Sequence, residues 1–139
     1  MVKLLLALLL LLPPLTLQAS DPEFDCLVRN VYQEARGEPY KGKLAVALVT
    51  LNRTKSERFP STICGVVYQK GQFSWTRNYA KVKINVEQWQ AAKDAAFSAY
   101  MGIDTLGNFK ATHFHNTSVN PGWKMKKVAK IGNHYFYAT

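Results

Sequence analysis

Glu34 and Glu38 flank a helix stop in the run Val31-Tyr32-Gln33-Glu34-Ala35-Arg36-Gly37-Glu38-Pro39. Phe24, Leu27, Val28, Val31, Tyr32 and Ala35 recur at helical spacing up to that point. Gly37 and Pro39 then end the helix. Glu34 therefore falls in the last turn, beside the apolar stripe, at the edge of a core where a cleft can form. The partial negative charge at a helix C-terminus mildly disfavours its anion. A carboxylic acid that keeps its proton near neutral pH is the reagent that protonates a glycosidic oxygen. The competing reading is a surface glutamate paired with Lys or Arg. Glu38 lies beyond Gly37, so the helix does not aim it. Its expected role is to order the loop through the backbone or Arg36.

Four further residues in series, Gln72-Phe73-Ser74-Trp75, suit a sugar cleft. Aromatic faces stack on pyranose rings, and the amide and hydroxyl bond acetamido groups. Gln72 and Ser74 are expected to face ligand, Trp75 to face either ligand or core, and Phe73 to be structural. His113 and His115 alternate with Phe114, so on a strand they share a face. With His134 they have the side chains of a metal site, but acid-driven bond cleavage needs neither metal nor cofactor, and none is expected. His115 and Asn116 are read as cleft-lining. His134 is expected to bond backbone at a hairpin, and Asn133 to serve the turn. Tyr135 and Tyr137 alternate with Phe136, so one set faces outwards, and Tyr135 is taken as a substrate contact. Lys124, Lys126, Lys127 and Lys130 read as a solvated face, with attraction to anionic wall groups as the weaker reading.

These groups need a scaffold. Ser20 and Glu23 are spaced as a capping box, with Pro22 tolerated in the first turn. The apolar run Leu44 to Leu51 predicts a buried helix to about Thr54. A short helix is expected from Thr62 to Tyr68, and irregular chain from Gly71 to Asn78. Asn85 predicts the cap of a further helix, with Val86, Trp89, Lys93, Ala96, Phe97 and Tyr100 along one face and Gly102 as its stop. Lys127 to Ile131 and His134 to Ala138 flank Gly132-Asn133, a hairpin signal. Helices first and strands later predict an α+β domain.

The chain of 139 residues carries a net charge of +9, to which Lys3 contributes one. Lys3, the apolar run Leu4 to Leu12, Pro13-Pro14 and Ala19 predict a signal peptide over 1–19 and one domain over 20–139. An uncleaved anchor at the outer face of the inner membrane is the alternative, and the only source of membrane contact. Export permits a disulfide between Cys26 and Cys64, and two buried thiols fit the sequence as well. The positive balance suggests an anionic partner, whether wall polymer, nucleic acid or lipid head groups; charge alone does not choose.

Four blocks carry a resemblance: VYQEARGEPYKGKLAVALVTLNR from Val31, FPSTICGVVY from Phe59, Gln72 to Trp75, and Ile131 to Phe136. In this order they resemble the cell-wall hydrolase family that includes the spore-cortex-lytic enzymes. The resemblance implies a small lysozyme-like α+β domain that cleaves peptidoglycan glycan strands, usually as a lytic transglycosylase. It also implies that Glu34, the first glutamate of Glu-Ala-Arg-Gly-Glu, is the catalytic acid. The expected partner is then peptidoglycan rather than nucleic acid, cut by a monomeric enzyme exported to the periplasm, the cell envelope or the extracellular space. The chain is read as differing from the spore enzymes in lacking an added peptidoglycan-binding domain and in its run Thr112-His113-Phe114-His115-Asn116. These differences put cortex preference in doubt and leave cellular wall remodelling and phage lysis both open. A hydrolytic muramidase and a non-catalytic basic binding module are the alternatives.

Overall fold

The computed structural model describes residues 21–78 and 81–139; the expected signal peptide and Ser20 lie outside the described residues. Helices α1 (Pro22–Ala35), α2 (Tyr40–Thr54), α3 (Ile63–Val67) and α4 (Val86–Tyr100) precede a sheet of β1 (His113–Asn116), β2 (Lys126–Ile131) and β3 (His134–Ala138). The domain is α+β, as the pattern predicts.

Helix α1 starts at Asp21, whose carboxylate accepts from the Glu23 amide at 3.0 Å. This corrects the expected Ser20–Glu23 box. With Asp21 as cap, Glu23 is one position too early to reach back. Its Oε2 instead accepts from the amides of Ile63 at 2.6 Å and Cys64 at 3.3 Å. It thus neutralises two orphan donors at the start of α3. Beside this contact, Cys26 and Cys64 form a disulfide with their Cα atoms 5.3 Å apart, so the open question of the thiols resolves to a bond.

Helix α2 lies in the core, with Leu44 to Val49 buried. Helix α4 differs from expectation. Asn85 caps it, its Oδ1 accepting from the Gln88 amide at 2.9 Å. Its buried face, however, is Ala92, Ala95, Ala96 and Ala99, while Val86 is 80% exposed and Phe97 48% exposed. α4 packs against both α1 and α2, and only small side chains leave room for that close approach. Phe97 and Tyr100 instead cover Phe24 at its edge, with ring centroids 6.3 and 5.4 Å away.

The strands run in the order β1-β3-β2, both pairs antiparallel. Phe114 and Phe136 face the helices, whereas His113, His115, Tyr135 and Tyr137 occupy the outer face by strict alternation. The hairpin turn is anchored from afar. The Asn133 amide donates to Glu38 Oε2 at 3.0 Å, and Lys43 Nζ donates to the Glu38 carbonyl. Glu38 does order a loop through backbone, but through that of the hairpin; Arg36 instead donates to the Tyr32 hydroxyl at 3.0 Å. The opposite end of α2 is tied to the strand entering β1, as Asn52 Nδ2 donates to the carbonyls of Phe109 at 3.0 Å and Ala111 at 2.9 Å.

Candidate active site

Glu34 closes one side of a groove of about 440 Å³, lined also by Arg53, Gly71 to Ser74, Arg77, His113 to His115 and Trp123. Three pieces of chain meet there: the end of α1, the turn around Ser74–Arg77, and the outer side of β1. Amphipathic spacing puts Glu34 at the border of the buried face of α1, between buried Val31 and Ala35. Burial strips water from its carboxyl and pushes its pKa from 4.5 up to about 7. The nearby Arg53 cation pulls the other way and does not prevail.

Arg53 is itself buried, which brings its pKa down to about 10, so it remains a cation at neutral pH. Its donors are directed elsewhere than Glu34. Nε bonds the Thr112 carbonyl at 2.7 Å and one terminal nitrogen bonds Gln72 Oε1 at 3.2 Å. The guanidinium also lies 4.7 Å from the Phe59 ring centroid and 5.5 Å from that of Phe73. Arg53 is therefore a fixed charge within electrostatic reach of Glu34.

The second wall is a single 3₁₀ turn, Ser74–Arg77. Phe73 is buried before it, and the Trp75 indole donates to Asn30 Oδ1 at 3.0 Å. Asn30 is fully buried and bonds Thr50 in turn at 3.3 Å. With these two aromatic pegs inserted, Gln72, Ser74 and Arg77 are left along the groove.

The third wall is imidazole and indole. Trp123 meets His113 and His115 edge-on, centroids 5.5 and 5.3 Å apart. His115 Nδ1 faces the Asn116 carbonyl at 2.8 Å, so this nitrogen carries the hydrogen, and Nε2 lies 2.8 Å from the Tyr137 hydroxyl. Burial, then the Arg53 and Arg58 charges, hold the His113 pKa below its ordinary value, so it is neutral at pH 7. His134 points the other way, against Phe114 and Phe136, with Nδ1 3.9 Å from Glu38 Oε1. Among the described residues it bonds no backbone, and it cannot join His113 and His115 around a metal, since it is on the opposite face of the sheet.

Residues 37–137 match the family described as Cell Wall Hydrolase. The chain belongs to the cell wall hydrolase family. It is 35% identical over 119 residues to the spore cortex-lytic enzyme of Oceanobacillus iheyensis, covering 84% of this chain and 42% of that protein. With the spore cortex-lytic enzyme of Bacillus subtilis it shares 33% identity over 120 residues, 84% of this chain and 38% of that one. The chain thus spans about two-fifths of the length of these curated relatives. Its fold is similar to the catalytic domain of the germination-specific lytic transglycosylase SleB from Bacillus anthracis. That comparison has a TM-score of 0.71 and 32% identity, and covers 91% of this chain and 99% of the other.

In this member of the family, Glu34 stands three residues ahead of the matched stretch, and the other groove residues lie within it. Of the residues singled out in sequence, Glu34, Gln72, Ser74 and His115 share the groove. Trp75 is outside its lining, held by Asn30 and packed on Tyr68 at 5.8 Å. Asn116 is also outside, its Oδ1 accepting from the Ser118 amide at 2.9 Å. So is Tyr135, which lies under Lys127 Nζ at 3.9 Å from its ring centroid. Arg53, Arg77 and Trp123 were not foreseen as site residues. Arg53 ends an apolar helix and Trp123 sits in an aperiodic loop, so neither pattern marked them; an arginine inside a buried helix was the one available signal.

Proposed function

We propose that the protein is an exported peptidoglycan lytic transglycosylase in which Glu34 serves as acid and then base. The observation that carries this reading is a single carboxyl, buried enough to hold its proton near pH 7, on the wall of an open groove. The family and the SleB likeness supply the substrate class. The disulfide accords with an oxidising compartment outside the cytoplasm.

Glu34 donates its proton to the oxygen between N-acetylmuramic acid and N-acetylglucosamine. The bond from the anomeric carbon to that oxygen breaks, and positive charge develops on the muramyl ring. Glu34, now a carboxylate, takes the proton of the muramyl 6-hydroxyl as that oxygen bonds the anomeric carbon. The ring closes as a 1,6-anhydro sugar and no water is consumed. Arg53 favours the carboxylate stage, because its fixed cation keeps the anion from being stranded in a dehydrated site. The reading of one carboxyl rather than two rests on the groove lining. Hydrolysis by either usual route needs a second carboxyl within roughly 10 Å. Among the described residues no other acid lines the groove, and Glu38 Oε2 is engaged by the hairpin amide. The test is mass spectrometry of digested peptidoglycan. Anhydromuramic ends are expected; reducing muramic ends would convert the reading to a muramidase, and intact strands would refute catalysis.

A further inference from the structure

The groove carries two fixed cations and one titratable acid. Arg53 and Arg77 line it, and Glu34 is the sole acid among the lining residues. Its charge is positive whether Glu34 holds its proton or has given it up. A neutral sugar chain gives no reason for that excess. The two arginines also differ in kind. Arg53 is buried and held by Thr112, Gln72 and two aromatic rings. Arg77 is exposed, and among the described residues nothing pairs with it.

Arg77 is nonetheless well placed rather than trailing in solvent. It ends the 3₁₀ turn that Phe73 and Trp75 fasten to the core, and the Asn78 amide closes that turn on the Trp75 carbonyl at 3.1 Å. The same turn aligns Gln72 and Ser74 with it along one wall. The pinned backbone fixes the space that the guanidinium sweeps, and its planar fork matches a carboxylate.

Resting on the function proposed above, we infer that Arg77 is the groove's receptor for a carboxylate of the stem peptide borne by the muramyl sugar. The lactyl ether of that sugar carries a short acidic peptide, so each disaccharide repeat brings carboxylates at a fixed offset from the scissile bond. Gln72 and Ser74 then face the sugar, and Arg77 reads what hangs from it. The protein would thereby distinguish strands with free stem-peptide carboxylates from strands in which these are neutralised.

Two measurements test this. The first compares kcat/KM on soluble peptide-bearing glycan strands and on the same strands with their stem-peptide carboxylates converted to amides. The unaltered protein is expected to favour the strands with free carboxylates about tenfold, the size of one good charged hydrogen-bonded pair. Arg77→Gln should collapse this preference and Arg77→Lys should restore part of it. The second is calorimetric binding in a Glu34→Gln background, using a disaccharide tetrapeptide and neutral chitotetraose. Adding Arg77→Gln should weaken the muropeptide about tenfold more than the chitotetraose. Equal losses on both ligands, or no preference in the unaltered protein, overturn the role of Arg77 while leaving transglycosylase action intact. Failure of both ligands to bind would sink the function reading along with it.

Discussion

The Glu38 carboxylate accepts a hydrogen bond from the Asn133 amide at 3.0 Å across 95 residues, joining the loop after α1 to the β2–β3 turn. Gly132 adjoins this contact with φ of 55°, and a Cβ placed there would lie 2.0 Å from Glu38 Oε2. The loop that follows Glu34 is thus clamped between the hairpin and Lys43.

Gly132→Ala should therefore destabilise the fold doubly, by a left-handed backbone and by expulsion of Glu38. A loss of about 2–4 kcal/mol is expected in urea unfolding. Glu38→Gln keeps a carbonyl acceptor for the Asn133 amide and should cost less than about 1.5 kcal/mol. Glu38→Gln should also retain strand cleavage; loss of cleavage with the fold intact would show that Glu38 takes part in the chemistry.

Glu34→Gln is expected to abolish cleavage and yet stabilise the protein at alkaline pH. The folded acid has a pKa of about 7 against an ordinary value of 4.5. Between those values the folded state binds more protons than the unfolded one, so the native protein loses stability as pH rises. The amide has no such loss. The stability gap should open from about pH 4.5 and level off above 7, at on the order of 3 kcal/mol. Denaturation midpoints at pH 4 and pH 8 measure it, and an unchanged gap would mean that Glu34 is not dehydrated as described.

The same titration governs rate. Cleavage needs protonated Glu34, so kcat/KM should fall as pH rises through about 7. The Arg53 charge holds that pKa lower than burial alone would set it. Arg53→Gln should move the alkaline limb to higher pH, with lower activity overall because Thr112 and Gln72 lose a partner. A limb that stays in place would remove Arg53 from the electrostatics of the site.

Cys26 and Cys64 close a loop across 38 residues and join α1 to α3. Replacing both with Ala should cost about 4 kcal/mol, chiefly by freeing the unfolded chain. Calorimetry of the variant, and of the native protein with reductant, should show matching falls in Tm.

Local patterns were legible where one element determines its own geometry. Apolar spacing placed α1, an unbroken apolar run marked α2, Asn85 marked the start of α4, and Gly132-Asn133 marked the hairpin. The inward face of α4 was not legible. Large apolar residues at helical spacing favoured Val86 and Phe97, yet the core takes the alanine stripe because two helices crowd against it. Trp75 shows the same limit at the groove. Its sequence neighbours suggested a sugar contact, and a buried Asn30 on a distant helix supplies the acceptor that holds its indole inside.

By itself the sequence determined that an acid ends an amphipathic helix, that His113 and His115 share a strand face, and that a short sheet follows the helices. Periodicity and turn chemistry act within a few residues, so these features need no knowledge of the rest. Only the tertiary structure decided that Glu34 is dehydrated, that Arg53 stands near it without pairing, and that Arg77 and Trp123 face the same space. Desolvation and electrostatic potential are sums over neighbours from remote parts of the chain, and packing alone chooses those neighbours.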